Sequence, residues 1–289
     1  MDKIFIFLQH ILPQQLLSRA TGWLAELRHP RWLKDWVIRR FIRTYNVNMA
    51  EAENPEPRSY ASFNAFFTRG LRADARPLAE TGILCPADGA ISQLGDISYG
   101  RIFQAKGRTY STLELLGGDD ERAEQYANGR FVTIYLAPGD YHRVHMPLAG
   151  RLTATRYIPG KLFSVNSVTA DNVDGLFARN ERLVCYFDTA AGPMAMILVG
   201  AMIVAGIETV WAGQVAPPPR APVAHDFVSL PRPVELARGE EMGRFKLGST
   251  VILLLPKDTV EWDPAYAGGT VTRLGESLGA LQGQAPSVP

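Results

Sequence analysis

The chain has 289 residues, with 30 Lys and Arg against 29 Asp and Glu, and 46% of it is hydrophobic. Such a chain can bury a substantial core in one large domain or in a domain with an appendage, and its near-neutral charge argues against nucleic acid as a partner. The two cysteines, Cys85 and Cys185, have no CxxC pairing, which argues against a disulfide framework or a zinc site and suits reduced, buried thiols.

Met1 to Leu17 is apolar around Ile4–Leu8 and Ile11–Leu12 but is interrupted by Gln9, His10 and Pro13. It falls short of the roughly 20 apolar residues of a spanning helix. No small-residue cleavage site of a signal peptide follows, so an interfacial helix is expected. Further on, Arg19, Arg28, Arg31, Lys34, Arg39, Arg40 and Arg43 stand against only Glu26 and Asp35, and Trp23, Trp32 and Trp36 share that window. Trp32, Leu33, Trp36, Val37, Phe41 and Ile42 recur at helical spacing, with the charged residues largely elsewhere. A basic helix with tryptophan on its apolar side suits a bilayer interface. The alternative is an ordinary surface helix packed on the domain. Trp32, Trp36, Arg39 and Arg40 are the candidate membrane contacts.

Glu51–Arg58, with Pro55 and Pro57, reads as a linker, and Tyr60–Arg69 as a helix with Phe63, Phe66 and Phe67 on one side. From about Ile83 the texture is β: Phe131–Leu136, Arg151–Ile158, Leu183–Phe187, Met196–Ala205, Val210–Val215 and Val251–Leu255 are short runs of β-branched and aromatic residues between Gly, Pro and Asp. The expected class is α+β, a mostly antiparallel sandwich or barrel-like core preceded by N-terminal helices. The expected division is residues 1–50 for the helices and 51–289 for the β-rich domain. Six prolines make Val215–Leu236 an expected long loop, and Gly279–Pro289 an expected frayed tail. The uncharged run Met194–Ile207 has the length of a core segment, so the chain is expected to touch a membrane without crossing it.

Leu247-Gly248-Ser249-Thr250 stands directly before the strand-like Val251–Leu255. A Gly-Ser bond can be bent cheaply, bringing the serine hydroxyl to the preceding carbonyl. If a base takes the Ser249 proton, attack on Gly248 turns the amide into an ester; elimination then breaks the chain and leaves dehydroalanine, which hydrolyses to a pyruvoyl group. Alone, such a pair is a common turn. Of the five histidines, His10 and His29 sit in the N-terminal helices and His225 in the proline-rich loop. His142 and His145 follow a strand and the turn Pro138-Gly139-Asp140. Their spacing could suggest a metal, but there is no third ligand in a fixed pattern and no His-Glu-x-x-His helix, so none is expected. Asp88, in Cys85-Pro86-Ala87-Asp88-Gly89, is by itself a turn former.

Together these segments, with Phe63–Arg69, Leu162–Asn166, Leu176–Arg182, Glu208–Gly213 and Glu241–Lys246, resemble the phosphatidylserine decarboxylases, in the longer bacterial form whose proenzyme cuts itself at Leu-Gly-Ser-Thr. The resemblance runs in order from about residue 60 to about residue 275. It implies cleavage between Gly248 and Ser249, giving a β chain of residues 1–248 and an α chain of 249–289 that opens on a pyruvoyl group. It assigns His145 as the base for Ser249 and Asp88 as the carboxylate that orients it, in the logic of a serine triad. His142 would face the same pocket as substrate contact or proton carrier. The pyruvoyl group would be the only cofactor, without metal or pyridoxal phosphate. It would form a Schiff base with the amine of phosphatidylserine, and phosphatidylethanolamine and carbon dioxide would leave. The implied partners are phosphatidylserine in an anionic membrane surface and the two chains of one precursor, with a homodimer left open. The implied place is the cytoplasmic side of a bacterial inner membrane, as a peripheral protein. Three rivals remain. A serine hydrolase could use Ser249, His145 and Asp88, although Leu247 and Val251 stand where a nucleophile elbow has glycines. A non-catalytic membrane binder would leave the motifs unexplained. A pyruvoyl enzyme for another amino-acid headgroup or a soluble amine acid is the third, and the N-terminal helices argue against the soluble one.

Overall fold

A computed structural model describes residues 6, 7, 9, 11–202, 206–216, 221–246 and 249–282. His10, Leu247, Gly248, Pro217 to Pro219 and the end of the tail from residue 283 therefore lie outside the described residues. The architecture is α+β with mostly antiparallel sheets that do not close into a barrel.

The strand Ser249–Leu255 is buried along its whole length. It pairs in register with Gly192–Gly200 on one side and Arg130–Leu136 on the other, inside an open nine-stranded sheet. Alternate side chains leave a strand on opposite faces. Val251, Leu253 and Leu255 accordingly enter one core while Ile252 and Leu254 enter another. The first core is closed by a four-stranded sheet that contributes Val144, Ile207, Met242 and Phe245. The second is closed by short helices and a hairpin that contribute Leu115, Ala170, Phe177 and Tyr110. Both faces are covered, so the central strand is continuously apolar rather than alternating. Truncating Leu253 to Ala would cost about 2–5 kcal/mol.

The N-terminal region forms the helices Gln14–Glu26 and Arg31–Tyr45. The second ends where Asn46 turns left-handed at φ 51°, a conformation asparagine tolerates. The helix expected over 60–69 is shorter, Phe63–Phe67, and its start is fixed by the Ser62 side chain accepting from Ala65 N. Phe63 and Phe66 pack on Phe41 of the long helix around a small core with Ile38 and Val47. Cys85 and Cys185 are free and buried, as expected.

Three expected elements differ. The tail expected to fray from Gly279 instead opens within the strand Ser277–Leu281, paired with Ile83–Leu84 and Val260–Trp262. Val210–Val215 is not one strand: Gly206–Thr209 and Gly213–Ala216 form a hairpin, and Gly213 takes the φ of +67° that the turn requires. The Pro-rich stretch is not all loop. Val223–Asp226 and Glu235–Leu236 both add to the strand Gly150–Ile158.

Candidate active site

The loop 137–141 joins the strand Arg130–Leu136 to the segment that carries both histidines. Asp140 closes it, its carboxylate accepting from Ala137 N at 2.6 Å. Gly139 has no room for a side chain, because a Cβ would lie 2.6 Å from the Tyr45 carbonyl at the end of the N-terminal helix. Leu136, just before the loop, is the sheet partner of Ser249. His142, just after it, accepts from Phe245 N at 3.0 Å. One loop thus ties both flanks of the Gly248–Ser249 bond.

Ser249 is fully buried, and neither its hydroxyl nor that of Thr250 has a hydrogen-bond partner among the described residues. Leaving a buried hydroxyl unpaired costs about 1–3 kcal/mol, and such a group in a native fold calls for a functional explanation.

His142 is completely buried and stacks on Phe67 at 4.0 Å. Its Nε2 lies 3.4 Å from the Pro138 carbonyl, and its Nδ1 has no partner among the described residues. Burial, helped by the charge of Arg69, pushes its pKa down to about 3, so the ring is neutral under physiological conditions.

His145 is held at both nitrogens. Nδ1 is 2.8 Å from the Gly239 carbonyl, which makes it the N–H donor, and Nε2 accepts from the Tyr141 hydroxyl at 3.1 Å. Burial lowers its pKa, while the Gly239 hydrogen bond and the charges of Glu241 and Asp88 oppose the shift. A carbonyl thus fixes the tautomer and leaves the basic lone pair on Nε2.

Asp88 does not hydrogen-bond to either histidine. Its carboxylate accepts from Arg76 Nε at 2.9 Å and from Leu274 N at 2.9 Å, and Arg76 also pairs with Glu51. His145 N donates to Pro86 O at 2.8 Å, so the turn bearing Asp88 is fastened to the histidine's backbone. Asp88, Tyr141, Arg69, Arg76, Thr272 and Tyr45 line a cleft of about 320 Å³. Among the described residues no group of His, Cys, Asp and Glu could hold a metal ion. Trp32, Trp36 and Arg40 are exposed and Arg39 is half-buried on the Arg31–Tyr45 helix, whose last residue Tyr45 reaches the cleft. Sequence reasoning missed Tyr141, Gly239, Arg69 and Arg76. Tyr141 stands beside His142 and was within reach, whereas Gly239 and Arg76 meet the site only through the fold.

The phosphatidylserine decarboxylase family model matches residues 63–280, and a second, named PSD, matches residues 4–46. A phosphatidylserine decarboxylase proenzyme of Saccharophagus degradans is 56% identical over 98% of this chain and 99% of its own length. Proteins of the same name from Azotobacter vinelandii and Pseudomonas putida are each 57% identical over 96% of the chain, covering 98% and 97% of their own. These matches make the protein a decarboxylase, a carboxy-lyase made as a proenzyme. The chain belongs to the phosphatidylserine decarboxylase family.

Proposed function

We propose that the chain cuts itself between Gly248 and Ser249, that Ser249 becomes a pyruvoyl group, and that the matured enzyme converts phosphatidylserine to phosphatidylethanolamine and carbon dioxide at a membrane surface. The observation that carries this reading is Ser249: fully buried, unpartnered at its hydroxyl among the described residues, and placed at the start of the central strand. In maturation the Oγ proton passes to His145, whose Nε2 carries the basic lone pair that otherwise accepts from Tyr141. Oγ bonds to the Gly248 carbonyl carbon, the C–N bond breaks, and the Ser249 nitrogen takes up a proton. Loss of the Ser249 α-proton then expels the Gly248 carboxylate with Oγ, and water replaces the nitrogen as ammonia. Asp88, fixed by Arg76 and Leu274, supports the imidazolium through its field, since its hydrogen bonds go elsewhere.

The surroundings fit a group built at Ser249. Its ketone supplies an electrophile for the substrate amine and a sink for the electron pair that carbon dioxide leaves behind. His142, neutral and with an Nδ1 unpartnered among the described residues, holds or delivers the proton at the substrate's α-carbon. The lipid is supported by a second cleft of about 530 Å³ between the two N-terminal helices, lined by Leu24, Leu33, Trp36, Val37 and Phe41. Tyr45 lines both clefts, so an apolar chain and a polar headgroup find adjoining walls.

Intact mass under denaturing conditions tests the proposal. Active enzyme should show two chains, residues 1–248 and 249–289, the second lighter by one ammonia than a serine-started peptide. A single uncut chain in fully active enzyme would sink it.

A further inference from the structure

In the cleft lined by Asp88 and Tyr141, Arg69 is a buried cation that makes no direct ion pair among the described residues, although the charges of Asp88 and Asp140 reach it. Arg76 is neutralised by Asp88 and Glu51, and Arg273 lies 3.7 Å from Glu51. Arg69 meets no carboxylate within ion-pair distance among the described residues, although it is only 4% exposed. Its Nη2 donates to the carbonyls of Gly139 and Asp140 at 3.2 and 3.3 Å, and its guanidinium lies 5.5 Å from the Phe66 ring. Nε and Nη1 are buried with no partner among the described residues. A guanidinium has five N–H donors and cannot shed its charge under physiological conditions. Burying it unpaired is costly, so a fold that keeps it there has an anion to place on it.

We propose that Arg69 binds the phosphodiester of the lipid headgroup through its guanidinium. The assignment rests on the decarboxylase reading above and names a binding residue for it. Arg69 lines the cleft with Tyr141 and Asp88, and its charge is felt at His142. The helix Phe63–Phe67 just before it places Phe67 against the His142 ring, so one segment carries both Arg69 and the packing partner of His142.

The substrate has two anionic groups, and the reaction chooses between them. The carboxylate leaves as neutral carbon dioxide, so a cation bound to it would stabilise the ground state more than the transition state and slow the step. The phosphodiester keeps its charge throughout. It is joined to the α-carbon only through a methylene and an ester oxygen, close enough to position the carbon beside His142. Arginine suits it, because the planar fork matches two phosphate oxygens.

The test uses the uncut Ser249→Ala chain, so that binding is read without maturation or turnover. Dihexanoyl phosphatidylserine and dihexanoyl phosphatidylethanolamine are titrated into this chain and into its Arg69→Gln and Arg69→Lys forms. The expected result is a loss of roughly tenfold or more for both lipids in Arg69→Gln, equal within error, with partial recovery in Arg69→Lys. A loss for the serine lipid alone would place Arg69 on the carboxylate and overturn the assignment, and unchanged affinity for both would do the same. So would inorganic phosphate binding the Ser249→Ala chain as tightly as either lipid. Because Arg69 also anchors Gly139 and Asp140, circular dichroism and thermal midpoint are measured for each variant. Arg69→Lys, with its charge kept, gives the comparison if Arg69→Gln is misfolded: it should weaken both lipids alike, and selective weakening of the serine lipid would again refute the proposal. If the decarboxylase reading itself failed, neither lipid would bind the Arg69-intact chain, an outcome distinct from all of these.

Discussion

Two histidines sit three residues apart and have opposite environments. His145 keeps a fixed tautomer and feels the charges of Glu241 and Asp88, whereas His142 is sealed against Phe67 under the repulsion of Arg69. The proposed roles follow from that difference. His145→Ala should accumulate uncut precursor. Asp88→Asn should slow maturation less, because it removes a field and not a hydrogen bond to the ring. His142→Ala should cleave at least in part yet decarboxylate poorly. Gel quantification of the two chains against carbon dioxide release separates these outcomes, and normal cleavage in His145→Ala would hand the base role to His142. Since the base must be neutral and burial holds His145 below its ordinary 6.5, maturation should be half-maximal below that pH and fall as acid is added. Stability has a pH signature of its own. From 6.5 down to about 3 an unfolded His142 binds a proton that the folded one refuses, so the unfolded state gains protons and the fold loses stability as pH drops. The slope from this one residue is about 1.4 kcal/mol per pH unit. Urea titrations across about pH 4 to 5.5, where nearly the full slope applies, should show it reduced by about this amount in His142→Gln.

At the scale of elements, what the sequence disclosed was local and what it hid was long-range. The apolar run after Gly248 announced the central strand, and the spacing of Phe63, Phe66 and Phe67 announced the short helix, because periodicity registers burial. The turn at Gly213 was hidden inside a stretch of strand-like composition, and the prolines around Val223 masked a strand whose pairing needs only the residues between them. Of the candidate site, Ser249, Asp88 and both histidines were singled out by their motifs. Gly239 as the partner of His145, 94 residues away, was not, since any residue can offer a carbonyl. Arg69 stood in a recognised segment but showed its lack of a direct ion pair among the described residues only once its neighbours were in place. The seat of the first helix was equally hidden. Gln14 accepts from Leu162 N at 2.8 Å and Gln9 from Ser164 N at 2.8 Å, so two buried glutamines stitch the N-terminal segment to the catalytic body. Gln14→Ala should leave the Leu162 amide buried and unpaired, a local cost of about 1–3 kcal/mol. Hydrogen exchange at that amide should quicken roughly tenfold or more. Gln14→Glu, which keeps the acceptor, should exchange more slowly than Gln14→Ala.

At the scale of the molecule, the surface is uneven in a way that the core does not require. Most of the large exposed apolar side chains belong to the N-terminal helical region, with Trp23, Trp32 and Trp36 at 67, 70 and 61%. Among the described residues no helix is long and apolar enough to cross a membrane. Beside the tryptophans, Arg39, Arg40, Arg43 and Arg58 line a cleft of about 490 Å³ whose one carboxylate, Asp35, is already paired with Lys34. Tryptophan at headgroup depth and arginine facing anionic lipid are the two contacts an interfacial helix makes. The same helix ends at Tyr45, against the loop that ties the flanks of Ser249. A bilayer resting on these helices would therefore present its headgroups at the mouth of the cleft. Each basic residue near an anionic leaflet contributes on the order of 1 kcal/mol, screened over roughly a Debye length, so Arg39 and Arg40 alone give about thirtyfold in partitioning. The matured enzyme is expected to bind anionic vesicles, less tightly as salt rises. Replacing Trp32, Trp36, Arg39 and Arg40 together should reduce turnover on vesicles about thirtyfold or more while leaving most of the turnover on a dispersed short-chain lipid. Equal losses on the two substrates would mean that these residues support the fold or the cleft, and the helices would then be packing elements and not the membrane contact.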